Sequence, residues 1–310
     1  MIFIVGVGRS GTSMLQSMLD SHSQIAFLPE TQFVRHYLCS DSVVSSIESK
    51  GIQSFIERTD DDENLMKDPD LKRAWNSSLL QEQALDLAAA FKSLVSIQLS
   101  STEKEIGGEK DAGNIDFLKR IKKFFPESKI ILIYRDPREV VLSKTKASWS
   151  SGRPYWQHSL IGSAQLKWGI ELGTKIFGRN FRKVKYEDLL GNSKVELEKI
   201  CSFLGISYED GMMDFYKKAP RLFVAKRELQ FKSNNFKPLI KNNNDKWRTE
   251  LSRRQIRFIE STNHRHISRL LYERDEESRS TLVTTMQGWI SDLFVAVYPI
   301  LIRIKSSLRK

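Results

Sequence analysis

A chain of 310 residues, 40% hydrophobic and 10% aromatic, is long enough for one large domain or two ordinary ones, which excludes disorder and fibre. Lysines and arginines number 49 against 38 aspartates and glutamates, so the net charge of +11 favours phosphates, sulfates, nucleic acids or acidic lipids as partners. The two cysteines, Cys39 and Cys201, make neither a disulfide framework nor a CxxC site, and a reducing, cytoplasmic setting is expected.

Met1-Ile2-Phe3-Ile4-Val5 starts as a buried strand over Ile2–Val7, with no charged region or cleavage site before it, which argues against a signal peptide. The strand runs into Gly6-Val7-Gly8-Arg9-Ser10-Gly11-Thr12-Ser13, after which Met14, Leu15, Met18 and Leu19 recur at helical spacing. Strand, glycine loop and helix start together make an anion site, because glycines let the backbone wrap an oxyanion and the first N–H groups of the helix point at it. The pattern GxxxxGK followed by Ser or Thr is nearly met, with Thr12 where the lysine belongs. Without that lysine the loop is poorly equipped for γ-phosphate chemistry, while Arg9 offers a planar fork for a tetrahedral oxyanion. A dinucleotide reading of Gly6, Gly8 and Gly11 would need an acidic residue after a second strand; Glu30 has the spacing, but Gln24–Pro29 is short, ends in proline and predicts no strand.

Further along, Asp60–Asp62 with Glu63 reads as a solvated loop. Apolar spacing predicts helices over Leu79–Leu99 and Ile115–Phe125, then a buried strand over Lys129–Tyr134. Arg135-Asp136-Pro137-Arg138 follows, with Pro137 suited to a helix start and Ser143 inside that helix, so Arg135 and Ser143 could grip a second phosphate. Ser148–Tyr155 predicts a loop beside the site, Phe181–Tyr186 a third strand, and Ser233–Asp245 an irregular stretch. Alternating strands and helices give an α/β fold with a central, mainly parallel sheet flanked by helices.

The loop from Val5 to Ser13, and Ile131-Leu132-Ile133-Tyr134-Arg135-Asp136-Pro137-Arg138 with Ser143, resemble the sulfotransferases that use 3′-phosphoadenosine 5′-phosphosulfate (PAPS). Glu109-Lys110, Tyr186-Glu187-Asp188-Leu189, Phe203-Leu204-Gly205 and Lys246-Trp247 add to the resemblance, which covers residues 1 to 250. It departs at Gly8, where the family usually has proline, and at Ser13, where it has threonine. The resemblance implies a P-loop-like sulfotransferase fold, PAPS as donor and cleavage without a metal. It further implies Arg9, Ser10, Gly11, Thr12 and Ser13 on the phosphosulfate, Arg135 and Ser143 on the 3′-phosphate, and Tyr186 near the adenine. Arg9 would also act catalytically, stabilising charge on the bridging oxygen as the S–O bond breaks. Lys110 and Lys246 are further candidates for phosphate or sulfuryl contact. A base must take the acceptor's proton, typically worth ~100- to 10,000-fold. Glu30-Thr31 resembles the glutamate of tyrosylprotein and carbohydrate members, with His22 as the runner-up.

Thr281–Lys310 lies outside the resemblance. Trp289, Ile290, Leu293, Phe294, Val297, Leu301 and Ile304 recur at helical spacing, and Arg303, Lys305, Arg309 and Lys310 make a basic end. Asp292 and Arg303 leave Trp289–Ile304 short of the ~20 apolar residues of a spanning helix, and Pro299 should kink or interrupt it. The stripe is expected to dock on the domain's own core or a second subunit, with an interfacial helix peripheral to an anionic membrane as the alternative. The expected division is a sulfotransferase domain over 1–280 and an amphipathic basic helical tail over 281–310. The expected activity is sulfuryl transfer to a hydroxyl of a glycan, glycolipid or other small molecule; the alternative is a P-loop kinase or nucleotide-binding regulator. Dispersed basic residues, with no RNA-binding aromatic signature, argue against nucleic acid.

Overall fold

The computed structural model describes residues 1–60, 62, 65, 68–218, 238, 245–275 and 282–308. The acidic run after Asp60 lies partly outside these, the irregular stretch from Ser233 almost wholly, and the tail's Thr281, Arg309 and Lys310 entirely.

Five strands form a parallel sheet: β1 (Ile2–Gly6), β2 (Ile25–Phe27), β3 (Ile106–Lys110), β4 (Lys129–Tyr134) and β5 (Phe181–Lys185), in the order β2-β3-β1-β4-β5. Central β1 pairs Ile4 with Lys110 of β3 and with Ile131 of β4. Its alternation sorts the core: Phe3 and Val5 join one buried cluster with Phe33, Trp75 and Phe91, while Ile2 and Ile4 join another with Leu15, Ile131 and Leu197. Each such side chain contributes about 1.5 to 3 kcal/mol on burial. Three strands lie where hydrophobicity predicts them.

β2 and β3 escape that reading. In β3 (Ile-Gly-Gly-Glu-Lys) a Cβ on Gly107 would stand 2.1 Å from Val95 Cγ1, and one on Gly108 would stand 2.5 Å from Phe27 Cε1. The strand gives up side chains so that the Leu87–Thr102 helix and the β2 phenylalanine can lie flat on it. β2 corrects the expectation that no strand leads to Glu30, since Ile25, Ala26 and Phe27 pair with Ile106, Gly107 and Gly108.

The helix predicted over Leu79–Leu99 is two. One ends at Leu79, Leu80 is exposed, and the next runs from Leu87 to Thr102. Asp86 decides the start, its carboxylate accepting from Ala88 N at 2.8 Å and Ala89 N at 3.0 Å, a cap that outweighs continuing apolar periodicity. The stretch from Ile115 begins in a 3-10 turn (Ala112–Phe117) before the helix Leu118–Phe124. Pro137–Lys146 is helical as expected, with Pro137 in its first turn and Asp136 capping Arg138 N at 2.8 Å.

The C-terminal helix, Leu282–Ser307, differs most from expectation. It continues through Pro299, whose missing N–H would orphan the Val295 carbonyl four residues back; the Trp168 indole donates to that oxygen at 2.8 Å instead. The helix is longer than Trp289–Ile304, and an 18-residue window within it has mean hydropathy 1.3, so by length and composition alone it could cross a membrane. Its buried face is not the apolar stripe. Gly288, Ser291, Val295, Tyr298 and Ser306 are buried, against the helices Tyr155–Phe177 and Arg253–Thr262, whereas Trp289, Ile290, Leu293, Val297, Leu301 and Ile304 are exposed and Phe294 is half-buried.

Candidate active site

Each strand delivers a candidate residue at its carboxyl end, the edge at which open α/β sheets bind ligands. β1 runs into the glycine loop, β2 ends three residues before Glu30, β3 ends on Lys110, and β4 and β5 end immediately before Arg135 and Tyr186. Adjacency in the sheet therefore brings together residues far apart in sequence.

On the β1–β4–β5 side the loop turns at Arg9 (φ 76°) and Gly11 (φ 96°). Gly11 is required twice over: its φ is left-handed, and a Cβ would stand 2.4 Å from Tyr186 Cδ2. It opens the helix Thr12–Asp20 without a side-chain cap, leaving the first-turn N–H groups to an anion, with Thr12 buried and Ser13 half-buried there. Ser10 is buried, and its Oγ has no hydrogen-bond partner among the described residues.

Arg9 Nε donates to Ser143 Oγ at 2.9 Å, joining the loop to the Pro137–Lys146 helix. The Arg135 guanidinium stacks 4.4 Å above the Tyr186 ring and donates to Glu139 at 2.8 Å, while Glu139 accepts from Trp247 N at 3.1 Å. Burial and the neighbouring Arg135 pull the Arg9 guanidinium below the ordinary arginine value. Half-buried Arg9 and buried Arg135 repel each other, and an anion between them would relieve the repulsion. Tyr186 is buried in the core beneath both, so it serves packing and lines the loop at once.

On the β2–β3 side charges are matched within the protein. Lys110 Nζ donates to Glu30, and Arg35 pairs with Asp111 at 2.8 Å. Fully buried Glu109 accepts from the Thr31 hydroxyl and from Asn114 Nδ2 at 3.0 Å, and burial raises its carboxyl to about 7. These contacts hold half-buried Glu30 and the chain that follows it, at Thr31 and Arg35.

Two candidates fall away from this centre. His22 is buried behind the first helix, with Nε2 2.8 Å from the Ser207 carbonyl and Nδ1 accepting from Gln24 N at 3.0 Å, so both ring nitrogens are occupied. The Lys246 side chain is exposed, whereas its neighbour Trp247 is buried 3.8 Å from the Arg138 guanidinium. Arg138 itself is a structural staple, paired with Asp136 and Glu260 at 2.6 Å each.

Sequence reasoning missed Lys144. It is buried beside the loop, its Cε 3.7 Å from where a Gly8 Cβ would stand, and burial lowers its ammonium to about 8 against the opposing pull of Asp116. A cation thus reaches the glycine loop although Thr12 stands at the usual lysine position. Its signal was only its place one residue after Ser143. Glu187, which the sequence offered only as part of the Tyr186–Leu189 motif, accepts from Asp136 N at 2.9 Å and so holds the turn bearing Arg135.

A model of the sulfotransferase family matches residues 2–210. The chain is 23% identical over 226 residues to protein-tyrosine sulfotransferase A of Caenorhabditis elegans, covering 68% of this chain and 51% of that protein. It is 24% identical over 230 residues to protein-tyrosine sulfotransferase 2 of Gallus gallus, covering 69% and 53%. The chain thus spans about half the length of these curated relatives. Its fold is shared with the sulfotransferase domain of the Synechococcus PCC 7002 olefin synthase, at TM-score 0.60 and 21% identity, over 82% of this chain and 88% of that one.

Proposed function

This chain belongs to the sulfotransferase family, and from that premise we propose that its crevice moves the sulfuryl group of PAPS to a hydroxyl of a glycan, glycolipid or other small molecule. The observation that carries the reading is the convergence of the glycine loop, Arg9, Ser143 and Arg135 on one side of β1 with the Glu30–Lys110 pair on the other.

In this reading Ser10, Gly11, Thr12 and Ser13 hold the 5′-phosphosulfate by their N–H and hydroxyl groups, and Arg135 with Ser143 holds the 3′-phosphate. Tyr186 lies beside the adenine. The Glu30 carboxylate takes the acceptor's hydroxyl proton as that oxygen bonds to sulfur. The bond from sulfur to the bridging oxygen breaks, and its electron pair stays on the 5′-phosphate, where Arg9 and the helix N-terminus stabilise the charge. Lys110 orients Glu30, and Lys144 adds positive charge behind Gly8. Residues 1–280 would act as the catalytic domain, in a cytoplasmic setting, as a monomer or homo-oligomer.

A tyrosyl hydroxyl in a protein is a second reading of the acceptor, favoured by the two protein-tyrosine sulfotransferases among the relatives. Incubation with sulfur-labelled PAPS and glycans, glycolipids, phenols and tyrosyl peptides separates the two: label on a glycan or small hydroxyl compound supports the first, and label on tyrosyl peptides alone supports the second. If no hydroxyl acquires label and ATP is consumed instead, the kinase alternative replaces both.

A further inference from the structure

The C-terminal helix presents two unlike faces. Its inner face is pinned: Ser291 Oγ donates to the Thr262 carbonyl at 2.7 Å, the Trp168 indole to Val295 O at 2.8 Å, and Tyr298 to Asp116 at 3.1 Å, while Arg265 pairs with Asp292 at 2.8 Å. Its outer face is an uncharged stripe through Met286, Trp289, Leu293, Val297, Ile300 and Ile304, with Trp289 70% and Leu293 69% exposed. From Met286 to Ile304 the stripe is ~27 Å long, a contiguous exposed apolar face of the kind that marks an interaction surface.

Charge frames the stripe. Exposed Arg303 and Lys305 project roughly 100° to either side of Ile304, from the helical repeat. Toward the other end, Trp289 borders a groove lined by Arg257, Arg274 and His264. The groove's acids are already matched, Glu260 by Arg138 at 2.6 Å and Asp292 by Arg265 at 2.8 Å. An apolar stripe with cations at its flanks and both ends complements a surface that is apolar within and negative at its rim, which a bilayer of anionic lipids is.

We infer that Leu282–Ser307 is an in-plane membrane helix. Its outer stripe enters the headgroup and acyl boundary of an anionic bilayer, Arg303, Lys305, Arg257 and Arg274 meet lipid phosphates, and the inner face stays docked on the domain. Crossing the bilayer would require breaking the four inner contacts. Pairing with a second copy through the same stripe would bring like charges together. The inference is independent of sulfuryl transfer, because vesicle binding is read without turnover.

The test is co-sedimentation of the full chain with phosphatidylcholine vesicles, with and without phosphatidylserine, at low salt. Binding is expected only with phosphatidylserine, and it should be released by raised salt or by an alkaline wash. Leu293→Glu with Ile300→Glu, both on exposed positions, should abolish binding while leaving the melting temperature unchanged. Arg303→Gln with Lys305→Gln should weaken binding roughly thirtyfold, about fivefold per cation. Failure to bind phosphatidylserine vesicles overturns the inference, as does equal binding by the double glutamate variant. Resistance to the alkaline wash would mean a spanning helix. A dimer that ignores vesicles and is dissociated by the glutamates would mean a second copy on the stripe.

Discussion

On the two sides of β1 the carboxyl edge of the sheet balances charge differently. Around the glycine loop, burial and then the neighbouring Arg135 make Arg9 harder to keep protonated, and buried Lys144 adds a cation behind Gly8, with Glu139 and Asp116 offsetting part of this charge. Across β1, each carboxylate near Glu30 meets a donor of its own: Glu30 meets Lys110, Asp111 meets Arg35, and Glu109 meets Thr31 and Asn114. Concentrated positive charge suits an incoming polyanion. Internally matched charge suits a group that must pass a proton and recover its partner, since the pair keeps its geometry whether or not a ligand is present. If the proposed function holds, the contrast teaches that one sheet edge would separate binding of a polyanionic donor from activation of a neutral acceptor.

The contrast breaks most sharply at Glu30. Glu30→Gln keeps size and hydrogen bonding but removes the base, so turnover should fall by about 100-fold or more while the affinity for 3′,5′-adenosine bisphosphate holds. Single-turnover kinetics beside a direct binding measurement decides it, and wild-type turnover would refute the role. On the other side Arg135→Ala should do the reverse. Affinity for 3′,5′-adenosine bisphosphate should drop about ten- to a hundredfold, the loss of a charge-assisted contact worth ~1.5 to 3 kcal/mol, with little effect on AMP. Calorimetric titration of both nucleotides checks this, and equal losses would show that the 3′-phosphate is not what Arg135 meets.

Glu109 sharpens the comparison through pH. It keeps its proton up to about 7 in the folded chain, against an ordinary 4.5. Between those values the folded state binds more protons than the unfolded one, so this residue makes stability fall as pH rises through the window, by at most ~1.4 kcal/mol per pH unit. Glu109→Gln should flatten that slope. Urea melts at about pH 5 and about pH 8 read it, and an unchanged slope would assign the pH response elsewhere. The smallest effect is expected at His22. His22→Asn should lose up to about 1 kcal/mol of stability from its two backbone contacts and leave turnover untouched. A loss of turnover at unchanged stability would restore the histidine as base.

Much was legible in the residues alone. Ile2–Gly6, Lys129–Tyr134 and Phe181–Lys185 announce themselves as strands because each packs apolar side chains into the core. The glycine loop, Arg135 and the Pro137 helix start are local signals of backbone geometry and charge, which neighbouring residues suffice to set. What stayed hidden depended on partners distant in the chain. Ile106–Lys110 looks unlike a strand because Gly107 and Gly108 make room for Val95 and Phe27. The Arg9–Ser143 bond spans 134 positions, and only the β1–β4 pairing creates it. Pro299 is expected to kink or interrupt its helix, yet the helix continues through it, and Trp168 donates to the carbonyl that the proline leaves without its N–H. Periodicity located the apolar stripe of the last helix. Which face of that helix turns inward was decided by the hydrogen bonds waiting at Thr262, Asp116 and Arg265, and a buried polar group left without a partner costs more than an apolar side chain left in water.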